Sequence, residues 1–276
     1  MAAELSILMP VYNERERIVA ALDTTLATYL PFETELVVVD DGSTDGTSEI
    51  LEAYDWPPNA RLVRHERNRG KGAAVRTALE HARGTFSAIL DADLEYDAAD
   101  LETLLVPLRR GDADAAFGVR VFDGYSSHSY LFVMGNKLVT LVANLLFNVY
   151  LHDLMTCHKA IRTSLFRKLE LRESGFTIEP EIAARLVLRG ERIFELPVSY
   201  RARSSADGKK LTALDGARVL GTLIRCRLSG PRATPRPHVV KPPPGLLGLG
   251  GTDGRVTDEA SALPGSGALR VGQPAQ

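Results

Sequence analysis

An α/β fold is expected from this sequence: a mainly parallel sheet with helices on both faces. Three observations predict it. Short runs that are apolar throughout, such as LSILMP, ELVVV and FSAIL, alternate with stretches whose apolar residues recur at helical spacing. Strands of that kind are buried on both faces, as in a parallel sheet clad in helices. The polar signatures sit where the runs end: Asn13 and Glu14, Asp40 and Asp41, Asp91 and Asp93. In such sheets ligands bind beyond the carboxyl ends of the strands.

The elements follow in order. A strand over 5–9 leads through a polar loop to a helix carrying Ile18, Ala21, Leu22 and Leu26 at helical spacing. A second strand, 35–39, enters the turn DDGSTDGT; Ser43, Thr44 and Asp45 serve that turn and cap a helix over 47–54. RLVRHERNRGKGAAV reads as a short strand, a basic glycine loop and a helix. FSAIL is the fourth strand, and Asp97 and Asp100 cap the helix after it, which Pro107 to Gly111 closes. Beyond Gly118 the expectation is a mobile loop (FDGYSSHSY), an amphipathic helix over 131–151 and a short hairpin around 153–162. A helix over 179–189, a strand RIFELPVSY and a basic loop RARSSADGKK follow. Residues 1–228 form the folded domain, and the Pro/Gly-rich 229–276 is a disordered tail.

Hydrophobic residues make up 45% and charged residues 25% of the 276, a soluble globular mix. Cys157 and Cys226 build neither a disulfide framework nor a metal cluster, which suits a reducing, cytosolic setting. The N-terminus runs straight into a strand, so no signal peptide is expected. Asn136, Lys137, Thr140, Asn144 and Asn148 interrupt the longest apolar stretch. Four of these, with His152, recur every four residues, the mark of an amphipathic helix rather than a membrane span. That helix either packs on the body of the protein or rests on a membrane or a partner subunit. Residues 1–154 carry 13 Lys and Arg against 24 Asp and Glu; residues 155–230 carry 15 against 8. An acidic half joined to a basic half suits a metal on one side and a phosphate-bearing partner on the other.

In DADLE, Asp91, Asp93 and Glu95 point one way if the segment stays extended, making a hard-cation site suited to Mg²⁺ or Mn²⁺. Asp40 at its strand tip is placed to accept from a nucleobase or ribose, with Gly42 allowing a ligand to come close. Arg69 and Lys71 flank a glycine turn at a helix N-terminus, a natural phosphate contact. It is not a P-loop, since His65 stands where glycine is required and Gly72 where Ser or Thr is. PVYNERE is likewise not the glycine-rich, basic opening of a nucleotidyltransferase.

The order PVYNE, DDGSTDGT, NRGKGAAVRTAL, DADLE resembles the family 2 glycosyltransferases of the Rossmann-like GT-A fold. Within them it is most similar to the dolichyl- and polyprenyl-phosphate mannose and glucose synthases, over roughly residues 4–225. The resemblance implies roles. Pro10, Tyr12 and Glu14 would line the nucleotide site, Asp40 would bind base or ribose, and Lys71 would lie near the nucleotide. Asp91 and Asp93 would be the pair gripping metal and diphosphate, with Glu95, where some relatives have glutamine, as a further oxygen ligand. Arg120 would contact phosphate and Asp153 would lie near the acceptor. Glu179 and Glu181 match an acidic helix start; Arg201, Arg203, Lys209 and Lys210 match a basic loop that closes over the phosphates. Two features depart from the pattern. MTCHKA, with Cys157 and His158, replaces a small-Gly-Phe segment, and no basic residue precedes the amphipathic helix unless His128 serves.

The implied enzyme is a metal-dependent, inverting hexosyltransferase using GDP-mannose or UDP-glucose and a polyprenyl or dolichyl phosphate. It would be cytoplasmic, with peripheral contact at the cytoplasmic face of the membrane through amphipathic acceptor-side helices. No nucleic-acid partner is expected, and a homo-oligomer stays open. The alternatives are a family 2 transferase with a soluble small-molecule or glycan acceptor, and a non-catalytic nucleotide-sugar-binding protein.

Overall fold

The computed structural model describes residues 3–120, 130–201 and 213–229. Along the chain these form β1 (Leu5–Val11), α1 (Ile18–Ala27), β2 (Thr34–Asp40), α2 (Thr47–Ala53), β3 (Ala60–Arg64), α3 (Lys71–His81) and β4 (Phe86–Ile89). Then come α4 (Asp100–Arg110), β5 (Ala115–Arg120), α5 (Tyr130–Phe147), β6 (Lys159–Arg162), α6 (Thr163–Lys168), α7 (Ile178–Leu188), β7 (Ile193–Val198) and α8 (Ala213–Ser229). The loop expected over 122–130 lies outside the described residues except for Tyr130, and so does the tail beyond Ser229.

The seven strands make one sheet in the order β3-β2-β1-β4-β6-β5-β7. All pairings are parallel except those of β6, which runs against both β4 and β5. Successive strand residues face opposite sides. Leu5, Ile7 and Met9 therefore join Leu36 and Val38 in the core under α1 and α4, while Leu8, Val37 and Val39 join the core under α3 and α7. This double burial is why the strands could be read from their unbroken apolar runs.

The expected hairpin around 153–162 does not form. Residues 153–158 are irregular, and only Lys159–Arg162 is strand, inserted between β4 and β5. The reversal has a consequence for the site. Because β6 runs antiparallel, its amino end lies at the edge where the other strands have their carboxyl ends. Residues 153–158 are thereby delivered beside Asp91. At the opposite edge, Glu35 accepts from Ser6 Oγ at 2.6 Å and Arg83 N at 2.5 Å, and pairs with Arg61. That carboxylate is a structural clasp, so acidity at a strand end is not by itself a site.

Candidate active site

A cleft of about 1090 Å³ opens at the carboxyl edge of the sheet. Its floor is Pro10 near the end of β1, Tyr12 and Glu14 after it, Lys71 at the start of α3, and Asp91 and Asp93 after β4. Gly135, Asn136 and Val139 of α5 and Arg218 and Val219 of α8 form the facing wall. Pro10, Tyr12, Glu14 and Lys71, expected near the nucleotide, thus meet the acidic pair in one place.

The acidic segment is not extended. Leu94 takes a left-handed φ of 62°, and residues 92–95 turn. Asp91 and Asp93 stay in the cleft, with Asp93 Oδ1 accepting from the Glu95 amide at 3.1 Å. Glu95 swings away: its Oε2 accepts from the Tyr200 hydroxyl at 2.7 Å. Among the described residues no group of three His, Cys, Asp or Glu side chains is arranged to hold a metal. The three-carboxylate set is therefore not assembled, because the turn at Leu94 breaks the alternation it required. A two-carboxylate seat remains. Asp91 Oδ1 is buried and has no hydrogen-bond partner, an unsatisfied anionic oxygen facing hard-cation chemistry. Asp91 and Asp93 fit the oxygen chemistry of a divalent cation.

Lys71 is partly buried, with Nζ 2.7 Å from Asp91 Oδ2 and 3.1 Å from Glu179 Oε1. Burial alone would discharge it; the Asp91 carboxylate and then its other anionic neighbours hold its pKa well above the ordinary value, so it is an ammonium. Its side chain runs to the acidic pair rather than capping an anion at the helix end. Instead the N-terminus of α3 is covered by Ser174, whose carbonyl accepts from Ala73 N at 3.2 Å. A Cβ on Gly70, at φ 92°, would meet that carbonyl oxygen at 2.3 Å. Gly70 is thus required by chain packing, while Asn68, Gly70 and Lys71 still line the cleft.

The expectation for Gly42 needs the same revision. An added Cβ there would sit 2.5 Å from the Arg67 backbone, so the close approach it permits is to the chain and not to a ligand. Asp40 is 1% exposed; its Oδ1 accepts from Ser43 N at 3.0 Å and its Oδ2 from Ser48 Oγ at 2.5 Å. It does not line the cleft. Asp41 accepts from the Arg69 and Gly70 amides and from His65, which positions Lys71 one residue on. Asp45 takes the Thr47 amide and hydroxyl, as the turn chemistry implied. Asp97 accepts from Ala99 N, whereas Asp100 reaches across to Ser199 N at 2.8 Å instead of capping its own helix.

Arg120 and Asp153 form a bidentate pair at 2.6 and 2.7 Å, steadied by Asn136 Nδ2 at 3.2 Å and by Tyr200 beneath the guanidinium at 5.3 Å. Burial would push the Asp153 carboxyl up; the Arg120 fork outweighs it and holds the group below the usual carboxylate range. Arg201 donates its amide to the Glu95 carbonyl and is exposed. Arg203, Lys209 and Lys210 lie outside the described residues, as does His128.

Residues 6–170 match the model of glycosyl transferase family 2. The chain belongs to that family. Among curated relatives, the transferase is 30% identical over 214 residues to the dodecaprenyl-phosphate galacturonate synthase of Rhizobium johnstonii, covering 75% of this chain and 61% of that protein. To glycosyltransferase AglJ of Haloferax volcanii it is 30% identical over 226 residues, 79% of this chain and 70% of the other. A dolichyl-phosphate beta-glucosyltransferase of Dictyostelium discoideum is 31% identical over 129 residues, 42% and 39% of the two chains. Among solved structures, glucosyl-3-phosphoglycerate synthase of Mycobacterium tuberculosis, in complex with Mn²⁺, uridine-diphosphate and phosphoglyceric acid, superposes with a TM-score of 0.63 at 18% identity. It covers 82% of this chain and 78% of its own. At that identity the likeness establishes the GT-A fold alone.

Sequence reasoning missed Lys159 and left the roles of its neighbours open. Lys159 is wholly buried, with Nζ 2.8 Å from Glu179 Oε2 and bonded to the Leu154 and Thr156 carbonyls. Nothing local marks a lysine that ends in a core. Glu181, beside Glu179, is instead a clasp for the Arg172 and Glu173 amides. His158 stacks on Tyr96 at 5.2 Å, and burial lowers its pKa to about 4, so it is neutral. Cys157 is likewise held as a thiol by burial and by the neighbouring Asp91.

Proposed function

We propose that this transferase moves a hexose, from GDP-mannose or UDP-glucose, to a polyprenyl phosphate with inversion at the anomeric carbon. The observation that carries the reading is a single cleft with two unlike walls. One wall holds Asp91, Asp93 and Lys71; the other is α5, whose outer face is apolar. Asp91 and Asp93 would hold Mg²⁺ or Mn²⁺, which supplies Lewis-acid neutralisation for a departing nucleoside diphosphate. Pro10, Tyr12 and Glu14 would border the nucleotide. Displacement breaks the bond from the anomeric carbon to the diphosphate oxygen and forms one to an acceptor oxygen on the opposite face.

A hydroxyl acceptor would need a base. Asp153 is a poor one, because both its oxygens are engaged by Arg120 and its affinity for protons is lowered. His158 is buried behind Tyr96. A phosphate acceptor is already ionised and needs no base, and the site suits it for that reason. Asp153 then holds Arg120 in place rather than accepting a proton.

The helix α5 supports a lipid acceptor. Its polar line faces inward: Asn136 bonds Asp153, Thr140 is buried, and Asn144 closes on the Leu151 backbone. Met134, Leu138, Leu141 and Leu145 are exposed along the outside, the last at 75%. Ile224 and Leu228 are exposed on α8, which packs on α5, and Lys137, Arg218, Arg225 and Arg227 are exposed on the same two helices. An apolar stripe bordered by cations suits an anionic bilayer surface on the cytoplasmic side. No helix among the described residues is long and apolar enough to cross a membrane. A phosphorylated small acid is the second reading, favoured by fold likeness to the synthase whose complex contains phosphoglyceric acid. The test is a screen of UDP- and GDP-sugars against a short polyprenyl phosphate and against 3-phosphoglycerate, with EDTA controls. Transfer to the lipid, abolished by EDTA, is expected. Transfer to phosphoglycerate alone would replace the lipid reading.

A further inference from the structure

Lys71, Asp91, Glu179 and Lys159 form a chain of alternating charge, buried at Glu179 and Lys159 and partly buried at Lys71 and Asp91, drawn from α3, the end of β4, α7 and β6. Lys71 Nζ bonds Asp91 Oδ2 at 2.7 Å, and Lys159 Nζ bonds Glu179 Oε2 at 2.8 Å. Between the two pairs lies Glu179 Oε1. It is buried and receives no hydrogen bond, although Lys71 Nζ is only 3.1 Å away. The chain therefore contains an acceptor that Lys71 can reach by a small side-chain rotation. It also contains, in Asp91 Oδ1, a second buried oxygen without a partner. One buried carboxylate oxygen without a partner, Asp91 Oδ1, and one, Glu179 Oε1, held by the same ammonium only through an unaligned ion pair are costly in a static arrangement, and they fit an ammonium that uses two positions.

We propose that Lys71 is a resident counter-ion of the cation seat, and that Glu179 is the positioning residue that receives it when a divalent cation binds Asp91. With no metal, Lys71 neutralises Asp91. With Asp91 and Asp93 holding a dication, Lys71 would lose its place at Asp91 and pair with Glu179 Oε1 instead. Lys159 anchors the far oxygen, so Glu179 stays aimed at Lys71 through the exchange. Glu179 acts through Lys71 and touches no substrate. The proposal rests on the metal reading given above, and the test separates the two.

The experiment titrates Mn²⁺ into the full-length protein, following free Mn²⁺ by electron paramagnetic resonance, with and without UDP. Lys71→Met removes the competitor, and Mn²⁺ affinity without UDP should rise about tenfold, within the range usual for coupled sites. Glu179→Gln alone would strand a buried Lys159 and could unfold the chain. Glu179→Gln is therefore combined with Lys159→Met, which removes the pair without changing net charge. That double variant leaves Lys71 no second position, and Mn²⁺ affinity should fall about tenfold. The fall should vanish when Lys71→Met is added. Unchanged or weaker binding by Lys71→Met overturns the proposal, and so does a fall that persists in the triple variant. If no protein binds Mn²⁺ even with UDP, the metal reading itself fails and takes this inference with it.

Discussion

The two walls of the cleft are built on opposite rules. Behind the wall made by the ends of β1 and β2, polar side chains are locked by local bonds: Asn13 to Thr44, Asp40 to Ser43 and Ser48, Asp41 to the Arg69 and Gly70 amides. On the α5 wall, polar groups also point inward, but the apolar residues beside them are left in the open. A surface helix normally does the reverse. The difference shows where rigidity and adaptability are needed. For the transfer proposed above, a diphosphate and a cation would require fixed groups, whereas a polyprenyl chain would require an apolar surface with little directional demand.

The sharpest way to break this contrast is at the rigid wall. Asp91→Asn should lower turnover about 100- to 1000-fold with folding retained, since it removes charge from the seat that opposes the developing diphosphate charge. Rates measured alongside circular dichroism check it; turnover close to that of the parent would end the account of that wall. Next comes the junction of the walls. Arg120→Leu leaves Asp153 buried without its partner and should destabilise the fold by about 3–5 kcal/mol in urea titrations. Asp153→Asn should be gentler on chemistry and leave measurable transfer to a phosphate acceptor. Complete loss in a folded Asp153→Asn protein would reinstate it as a base.

His158 sharpens the comparison through pH. Burial places its folded-state pKa at about 4 against an ordinary 6.5. The unfolded chain therefore takes up a proton between those values that the folded chain refuses. Stability should fall as pH drops from about 6.5 toward 4 and level off below, a loss of about 3 kcal/mol from this group. His158→Gln should flatten that part of a stability-against-pH curve; an unchanged slope would assign it to other groups. The smallest effect on stability belongs to the outer wall. Leu138→Glu with Leu145→Glu should change unfolding free energy by no more than about 0.5 kcal/mol. The same pair should abolish flotation with anionic liposomes. Flotation that survives both charges would remove α5 from the membrane contact.

Much of this protein was legible residue by residue. Strand runs such as Leu36–Val39, the breaks at their ends, and the Asp91–Asp93 pair depend on periodicity and turn chemistry, which act over a few residues. The family resemblance added the order of the motifs, and the match over 6–170 bears it out. What those cues left open are relations across long stretches of chain. Asp40 and Gly42 looked like ligand contacts because sequence shows the residue type but not the neighbour that occupies it. The polar line of α5 was visible, yet which side would meet the protein was not. That was decided by Asp153 and Leu151, carried there by the strand that runs backwards. Likewise Lys71, Asp91, Glu179 and Lys159 span more than a hundred positions, and only packing brings four charges into one row. Local pattern determined the elements and the polar sheet edge where the cleft opens, because hydrophobic period and backbone sterics are short-range. Tertiary structure decided the partners, because a charge in a core is tolerated only where a distant segment supplies its opposite.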